Sequence, residues 1–176
     1  MLPKLFFITG VCGAGKSSVL QFLKKMLPND AYDVRDFDSR GVPNNATREN
    51  WRFPETKHWI ALANENAKKG ITTIITGFAN PEELPLLRSE NDIETECILL
   101  DASKETIRAR LTKRNTPEAL ADLERVVGGS ADAFIENNIS FASKLRTICE
   151  EHHCAIIETD DISPEEVAMK ITKIIS

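Results

Sequence analysis

The sequence lacks several features, and each absence removes a class of protein. No apolar run approaches the roughly 20 residues needed to cross a bilayer, so a membrane-spanning helix is not expected. The opening "MLPKLFFITG" is a short apolar stretch for a signal peptide and leads directly into a glycine-rich loop, so no leader is expected. Positive charge is not in surplus. Lys and Arg number 22 against 27 Asp and Glu, a net charge of -5, which argues against a nucleic-acid wrapper or a basic membrane patch. The cysteines Cys12, Cys97, Cys149 and Cys154 have no framework spacing and read as free thiols in a reducing cytoplasm. "EEHHC" (150–154) crowds metal-capable side chains together without the spacing of a zinc site. Repeats, low-complexity tracts and linkers are missing too, and 176 residues suit one compact domain with a substantial core.

What is present starts with "FITGVCGAGKSS", an apolar run, a glycine-rich turn and a helix start. Gly10, Gly15, Lys16 and Ser17 fit G-x-x-x-x-G-K-[ST] without a mismatch. Glycines let backbone N–H groups turn toward phosphate oxygens, and the helix N-terminus adds partial positive charge. The loop Gly10, Cys12, Gly13, Ala14, Gly15, Lys16, Ser17 and Ser18 is therefore expected to hold a nucleotide. Lys16 would reach its β- and γ-phosphates, and Ser17 would ligate Mg²⁺.

Strand patterns at Lys4–Thr9, Tyr32–Asp36, "ITTIITG", "TECILL" and "CAIIET" alternate with helical ones. The expected helices are Lys16–Leu27, Pro54–Lys69 with Gly70 as cap, Pro81–Ser89, one from Ser103 toward Lys113, one from about Pro117 to Glu150, and a last one opened by Ser163, Pro164 and Glu166. Ser39–Phe53 reads as a polar loop. Such alternation implies an α/β fold, a parallel sheet with helices on both faces, and a ligand site at the carboxyl ends of the strands.

At that rim "VRDFDS" places Asp36 and Asp38 after the second strand. Two residues apart, they point the same way if the strand continues. One carboxylate would orient or deprotonate an acceptor hydroxyl, the other would hold Mg²⁺ or the acceptor. Arg40, Arg48 and Arg52, with Trp51, suit an anionic or aromatic acceptor. Arg108, Arg110, Lys113 and Arg114 crowd one helix end, where a basic segment would neutralise charge during phosphoryl transfer and exclude water. The guanine-reading N-K-x-D of a GTPase is missing. "CILLD" ends in Asp101, as the acid-ended strand of an ATPase would, but reads better as a strand end before a helix.

In order of motifs, the chain resembles small P-loop kinases of the nucleoside monophosphate kinase and shikimate kinase group over nearly its full length. It also looks like bacterial nucleotide-kinase-like proteins. "DFD" resembles the D-x-D of shikimate kinase-like enzymes, which implies Asp36 near Mg²⁺ and Asp38 toward the acceptor. "TGFANP" resembles the G-F-P-R of adenylate kinases, which implies Gly77 and Phe78 beside the acceptor; Asn80 stands where those enzymes carry the arginine. "RARLTKR" resembles the entry to their lid, implying Arg110 and Arg114 over ATP, and the Thr159–Ile162 turn, with Asp160, matches the loop beside adenine. The resemblance further implies a three-layer fold, a five-stranded parallel sheet in the order 2-3-1-4-5, and one domain over residues 1–176. An acceptor-binding insert would span about 38–69 and a small helical lid about 113–127, with "VVGGS" (126–130) as hinge.

The expected activity is transfer of the γ-phosphate of ATP, with Mg²⁺, to a small-molecule acceptor. A nucleoside or nucleoside monophosphate leads; a sugar acid, shikimate-like acid or antibiotic hydroxyl follows. A nucleotide-binding regulatory module and an acceptor-free ATPase are the alternatives. A cytoplasmic monomer or homodimer without nucleic-acid or membrane partners is expected.

Overall fold

Every residue of β1 (Leu5–Thr9) is buried, as a strand inside a sheet covered on both faces requires. A computed structural model describes residues 2–90, 92–114 and 130–176, with the side chain of Arg114 outside that set. Around β1 it arranges β2 (Tyr32–Asp36), β3 (Thr72–Thr76), β4 (Thr95–Asp101) and β5 (Ala155–Glu158) in one sheet of order β2-β3-β1-β4-β5. All four pairings are parallel, and the register sets Ile8 against Thr76 on one side and Ile98 on the other.

The period of two along β1 divides the core. Phe6 and Ile8 face α1 (Lys16–Met26), α5 (Ala131–Glu151) and α6 (Pro164–Ile175), meeting Leu23, Leu145 and Ile171. Leu5 and Phe7 face α2 (Phe53–Ala67), where Trp59, Ile60 and Ala63 wait. Burying each of these large side chains stabilises the fold by roughly 1.5–3 kcal/mol. Two shorter connections, α3 (Leu84–Leu87) and α4 (Lys104–Arg114), complete the layers.

Three local expectations change. The polar stretch after β2 is not a plain loop: a 3₁₀ turn covers Phe37–Arg40 and a π-helical turn covers Arg48–Arg52. The second is opened by a reciprocal cap, in which Thr47 Oγ1 accepts from Asn50 N at 3.1 Å and Asn50 Oδ1 accepts from Thr47 N at 2.7 Å. The helix expected at Pro81–Ser89 shrinks to Leu84–Leu87, preceded by a turn in which Asn80 Oδ1 accepts from Glu82 N at 3.1 Å. Of the stretch expected to be helical from Pro117 to Glu150, the described part is α5, whose cap Ser130 accepts from Ala133 N at 3.2 Å. The lid expected at about 113–127 and the rest of the 126–130 hinge lie outside the described residues, apart from the end of α4. Among the described residues no helix is long and apolar enough to cross a membrane.

Candidate active site

The carboxyl ends of β1, β2, β3 and β5 open into one cavity of 1010 Å³, large enough for a nucleotide and a second small molecule. Its floor is the phosphate loop. Gly10, Gly13 and Gly15 adopt φ of 153°, 87° and 104°, and a Cβ on Gly10 would stand 2.6 Å from the carbonyl oxygen of Leu100. Gly15 opens α1 with no side-chain cap, and the first turn of the helix carries no acid. The partial positive charge there thus faces the cavity uncompensated by a neighbouring carboxylate of that turn. Lys16 folds back along the loop, donating to Gly10 O at 2.6 Å and Val11 O at 2.9 Å. Cys12, Gly13, Ala14, Gly15, Lys16, Ser17 and Ser18 all line the cavity, whereas Gly10 lies behind it and contributes its carbonyl to Lys16.

Arg110 reaches the same floor from α4. Its Nη1 donates to Gly13 O at 3.1 Å and Thr159 Oγ1 at 3.0 Å, and its Nη2 donates to Thr159 O at 2.6 Å. One guanidinium therefore ties α4 to the phosphate loop and to the turn after β5 while lining the cavity. The Arg114 side chain lies outside the described residues. Arg108 points elsewhere, paired with Glu136 of α5. Thr159 and Ile162 line the cavity, but Asp160 does not. Its carboxylate accepts from Ser103 N at 3.1 and 3.0 Å and from Ser103 Oγ at 2.7 Å, so it caps the start of α4 rather than facing the adenine side.

Asp36 and Asp38 both line the opposite wall, though not for the expected reason. The strand stops at Asp36, whose Oδ1 accepts from Asp38 N at 2.8 Å and starts the 3₁₀ turn. Asp38 stands at the cavity mouth. Partial burial raises its carboxyl pKa, the charges of Asp36 and Glu55 raise it further, and Lys16 opposes them. Ser17 and Asp36 are hard oxygen donors on the same cavity, which fits a magnesium ion.

The stretch expected as the acceptor-binding insert lines this wall with Val42, Arg48, Trp51 and Arg52, and the loop after β3 adds Gly77 and Phe78. Trp51 Nε1 donates to Gly41 O at 3.2 Å, and its ring meets Phe37 edge-on with centroids 5.6 Å apart. The Arg52 guanidinium lies 4.9 Å over the ring of Phe78. Arg40, expected in this group, is not on the cavity; it turns to Glu55, with Nη1 to Oε2 at 3.2 Å. Asp101 is also removed from the site, holding Arg146 Nη1 at 2.5 Å.

Two supporting contacts had no signal in the sequence. Asn138 Oδ1, on α5, accepts from Cys12 N of the phosphate loop at 3.1 Å. Thr9 Oγ1 donates to Ala79 O at 2.7 Å and accepts from Ala79 N at 3.0 Å, locking the loop after β3 to the end of β1. Both join positions too far apart in the chain for spacing to reveal.

This combination of sheet order, phosphate loop and rim defines a small P-loop kinase-like, nucleotide-binding fold. The chain belongs to the AAA domain family, which it matches over residues 7–138. It is 25% identical over 167 residues to a nucleotide-binding protein of Gluconacetobacter diazotrophicus, an alignment covering 93% of this chain and 40% of that protein. The chain thus spans less than half the length of that relative. A sugar kinase from Janibacter sp. in unliganded form superposes with a TM-score of 0.64 at 18% identity, covering 97% of this chain and 93% of its own. Shikimate kinase from Acinetobacter baumannii, solved with shikimate, superposes with a TM-score of 0.55 at 18% identity, covering 99% and 93%.

Proposed function

We propose that this protein is a phosphotransferase that moves the γ-phosphate of ATP to a small hydroxyl-bearing acceptor, a nucleoside or its monophosphate before a sugar acid or shikimate-like acid. The observation that carries the reading is that one cavity joins the phosphate loop to a carboxylate pair, Asp36 and Asp38. One rim carboxylate would serve a magnesium ion in any nucleotide-binding protein; a second on the same cavity supports a reading in which an acceptor hydroxyl must also be oriented.

In this reading the loop amides and Lys16 bind the β- and γ-phosphates, and Lys16 exchanges its two carbonyl partners for phosphate oxygens. Magnesium, held by Ser17 and Asp36, would supply charge neutralisation between those phosphates. Asp38 orients the acceptor hydroxyl and takes its proton; its raised pKa makes it the better proton acceptor of an ordinary carboxylate series. Arg110 steadies the loop from above, and Arg114 is proposed to join it over the nucleotide. The transition state is loose, so positioning and electrostatics supply most of the acceleration. We place the protein in the cytoplasm, acting on small molecules as a monomer or homodimer.

ADP release from Mg-ATP, measured with and without a panel of nucleosides, monophosphates, sugar acids and shikimate, tests the assignment. Acceptor-stimulated release that disappears in Lys16→Ala is the expected result. Tight ATP binding without stimulated release would instead favour a regulatory nucleotide-binding module, the reading closest to the name of the Gluconacetobacter relative.

A further inference from the structure

The charges of the acceptor wall select a ligand. Arg48 and Arg52 line it, and each is already paired within the chain. Arg52 Nη2 holds Glu83 Oε1 at 2.7 Å, with 23% and 13% of the two side chains exposed. Arg48 Nε holds Glu49 Oε1 at 2.8 Å. Arg40, just behind, is taken by Glu55. The Nε of Arg52 is buried and has no hydrogen-bond partner, and the guanidinium is covered on one face by Phe78. That N–H is enclosed by protein, so a ligand would reach it only if the Arg52 side chain moved.

Three arginines therefore stand against five carboxylates: Glu55 and Glu83 behind the wall, Glu49 exposed beside it, and Asp36 and Asp38 on it. A phosphomonoester dianion entering here would meet arginines whose charge is already answered and the Asp38 carboxylate, which repels it. What the wall does offer is the apolar surface of Trp51, with the edge of Phe78, beside carboxylates that accept hydrogen bonds from hydroxyls.

We infer that the phosphoryl acceptor is an uncharged hydroxyl compound with a planar ring, of the nucleoside type, and that Glu83 and Glu49 are specificity-determining residues that keep out its phosphorylated counterpart. This rests on the phosphotransferase reading above. The acceptor oxygen attacks the γ-phosphorus, the bond from γ-phosphorus to the β,γ-bridging oxygen breaks with its electron pair leaving on ADP, and the acceptor proton passes to Asp38. The product is a phosphomonoester, which the same carboxylates repel, so product release is favoured by the charge that selects the substrate.

The test is ADP formation from Mg-ATP with matched pairs: adenosine, guanosine, cytidine and uridine against their 5′-monophosphates, with neutral sugars against sugar phosphates as further pairs. The uncharged member of an active pair is expected to have the higher kcat/KM by about tenfold or more. Equal or better use of the phosphorylated member overturns the inference and leaves the phosphotransferase reading intact. Failure of every member of every pair to raise ADP formation overturns that reading and the inference together. In a second arm, Glu83→Gln and the exposed Glu49→Gln should each shift the kcat/KM ratio toward the phosphorylated member, chiefly through KM. Thermal melts check that each variant is folded, and an unchanged ratio in folded Glu49→Gln and Glu83→Gln overturns the role given to the glutamates. Should Glu83→Gln fail to fold, Glu49→Gln alone decides.

Discussion

Gly77 offers a sharp test of how the fold sets the site. It follows β3 and takes no left-handed backbone angle, so conformational freedom is not why it is glycine. Space is: a Cβ at this position would stand 2.2 Å from Phe37 Cβ and 3.4 Å from Phe37 Cα. Ordinary carbon contacts lie near 3.5–4.0 Å, so the two backbones must separate by more than an ångström. Phe37 is 1% exposed, its carbonyl accepts from Trp59 Nε1, and it sits between the two rim aspartates. Gly77→Ala is therefore expected to destabilise by about 3 kcal/mol, the upper end of overpacking costs, lowering Tm by about 6–12 °C in a chain of this size. Moving Phe37 also moves Asp36 and Asp38, so turnover should fall more than ATP binding does. The clash is between two Cβ atoms, so trimming the ring cannot relieve it. Phe37→Ala in the Gly77→Ala background should be no more stable than the sum of the single losses. Thermal unfolding of the four proteins decides. A Gly77→Ala protein that melts with wild type, or a double mutant rescued by Phe37→Ala, would refute the steric account.

Lys16→Ala should abolish acceptor-stimulated ADP release while circular dichroism and Tm stay near wild type, since its Nζ donates to the loop carbonyls of Gly10 and Val11 at the edge of the cavity. Asp38→Asn should cost about 10²–10⁴-fold in turnover if Asp38 takes the acceptor proton. The same change should stabilise the protein at neutral pH. The folded-state carboxyl is raised, so its favourable contribution is full below the ordinary carboxylate range and lost as pH rises through the raised value. The gain in Tm over wild type should appear above that value and vanish in acid; a gain that grows in acid would reverse the sign and the argument. Ser163→Ala removes the oxygen that accepts from Glu166 N and one partner of Glu166 Oε2, and should lower stability by about 1 kcal/mol, read as a Tm drop of about 2–4 °C.

Much of this was legible in local pattern. β2 runs over the expected residues, and the phosphate loop sits between strand and helix as its spacing requires. The final helix carries its reciprocal cap at Ser163 and Glu166. What escaped depends on partners distant in the chain. Arg40, Arg48 and Arg52 look alike in sequence, but a 3₁₀ turn sends Arg40 to Glu55 while a π-helical turn keeps the other two on the wall. Asp160 is expected beside the nucleotide because its turn matches in position the loop beside adenine in the kinases it resembles; Ser103, 57 positions away, claims its carboxylate. Asp101 is the strand end the sequence suggests, and its partner, Arg146, 45 positions away, is what local pattern could not supply. Thr47 and Asn50 were a missed local signal, since a cap of this form is readable at three-residue spacing.

These distant pairings give the cavity its polarity. On the phosphate-loop side, Lys16, Arg110 and the uncapped start of α1 gather positive charge with no acid in that first turn. On the other side, Asp36 and Asp38 remain on the wall while the arginines are spoken for by glutamates. A polyphosphate entering such a field has one favoured orientation, its phosphates over the loop, because the reverse would place them against two carboxylates. The same field leaves the far half suited to hydroxyls rather than anions. On the phosphotransferase reading proposed above, orientation of the donor and selection of the acceptor have one cause. Reversing charge on the acceptor wall should disturb both, whereas Ser163→Ala, far from that field, should disturb neither.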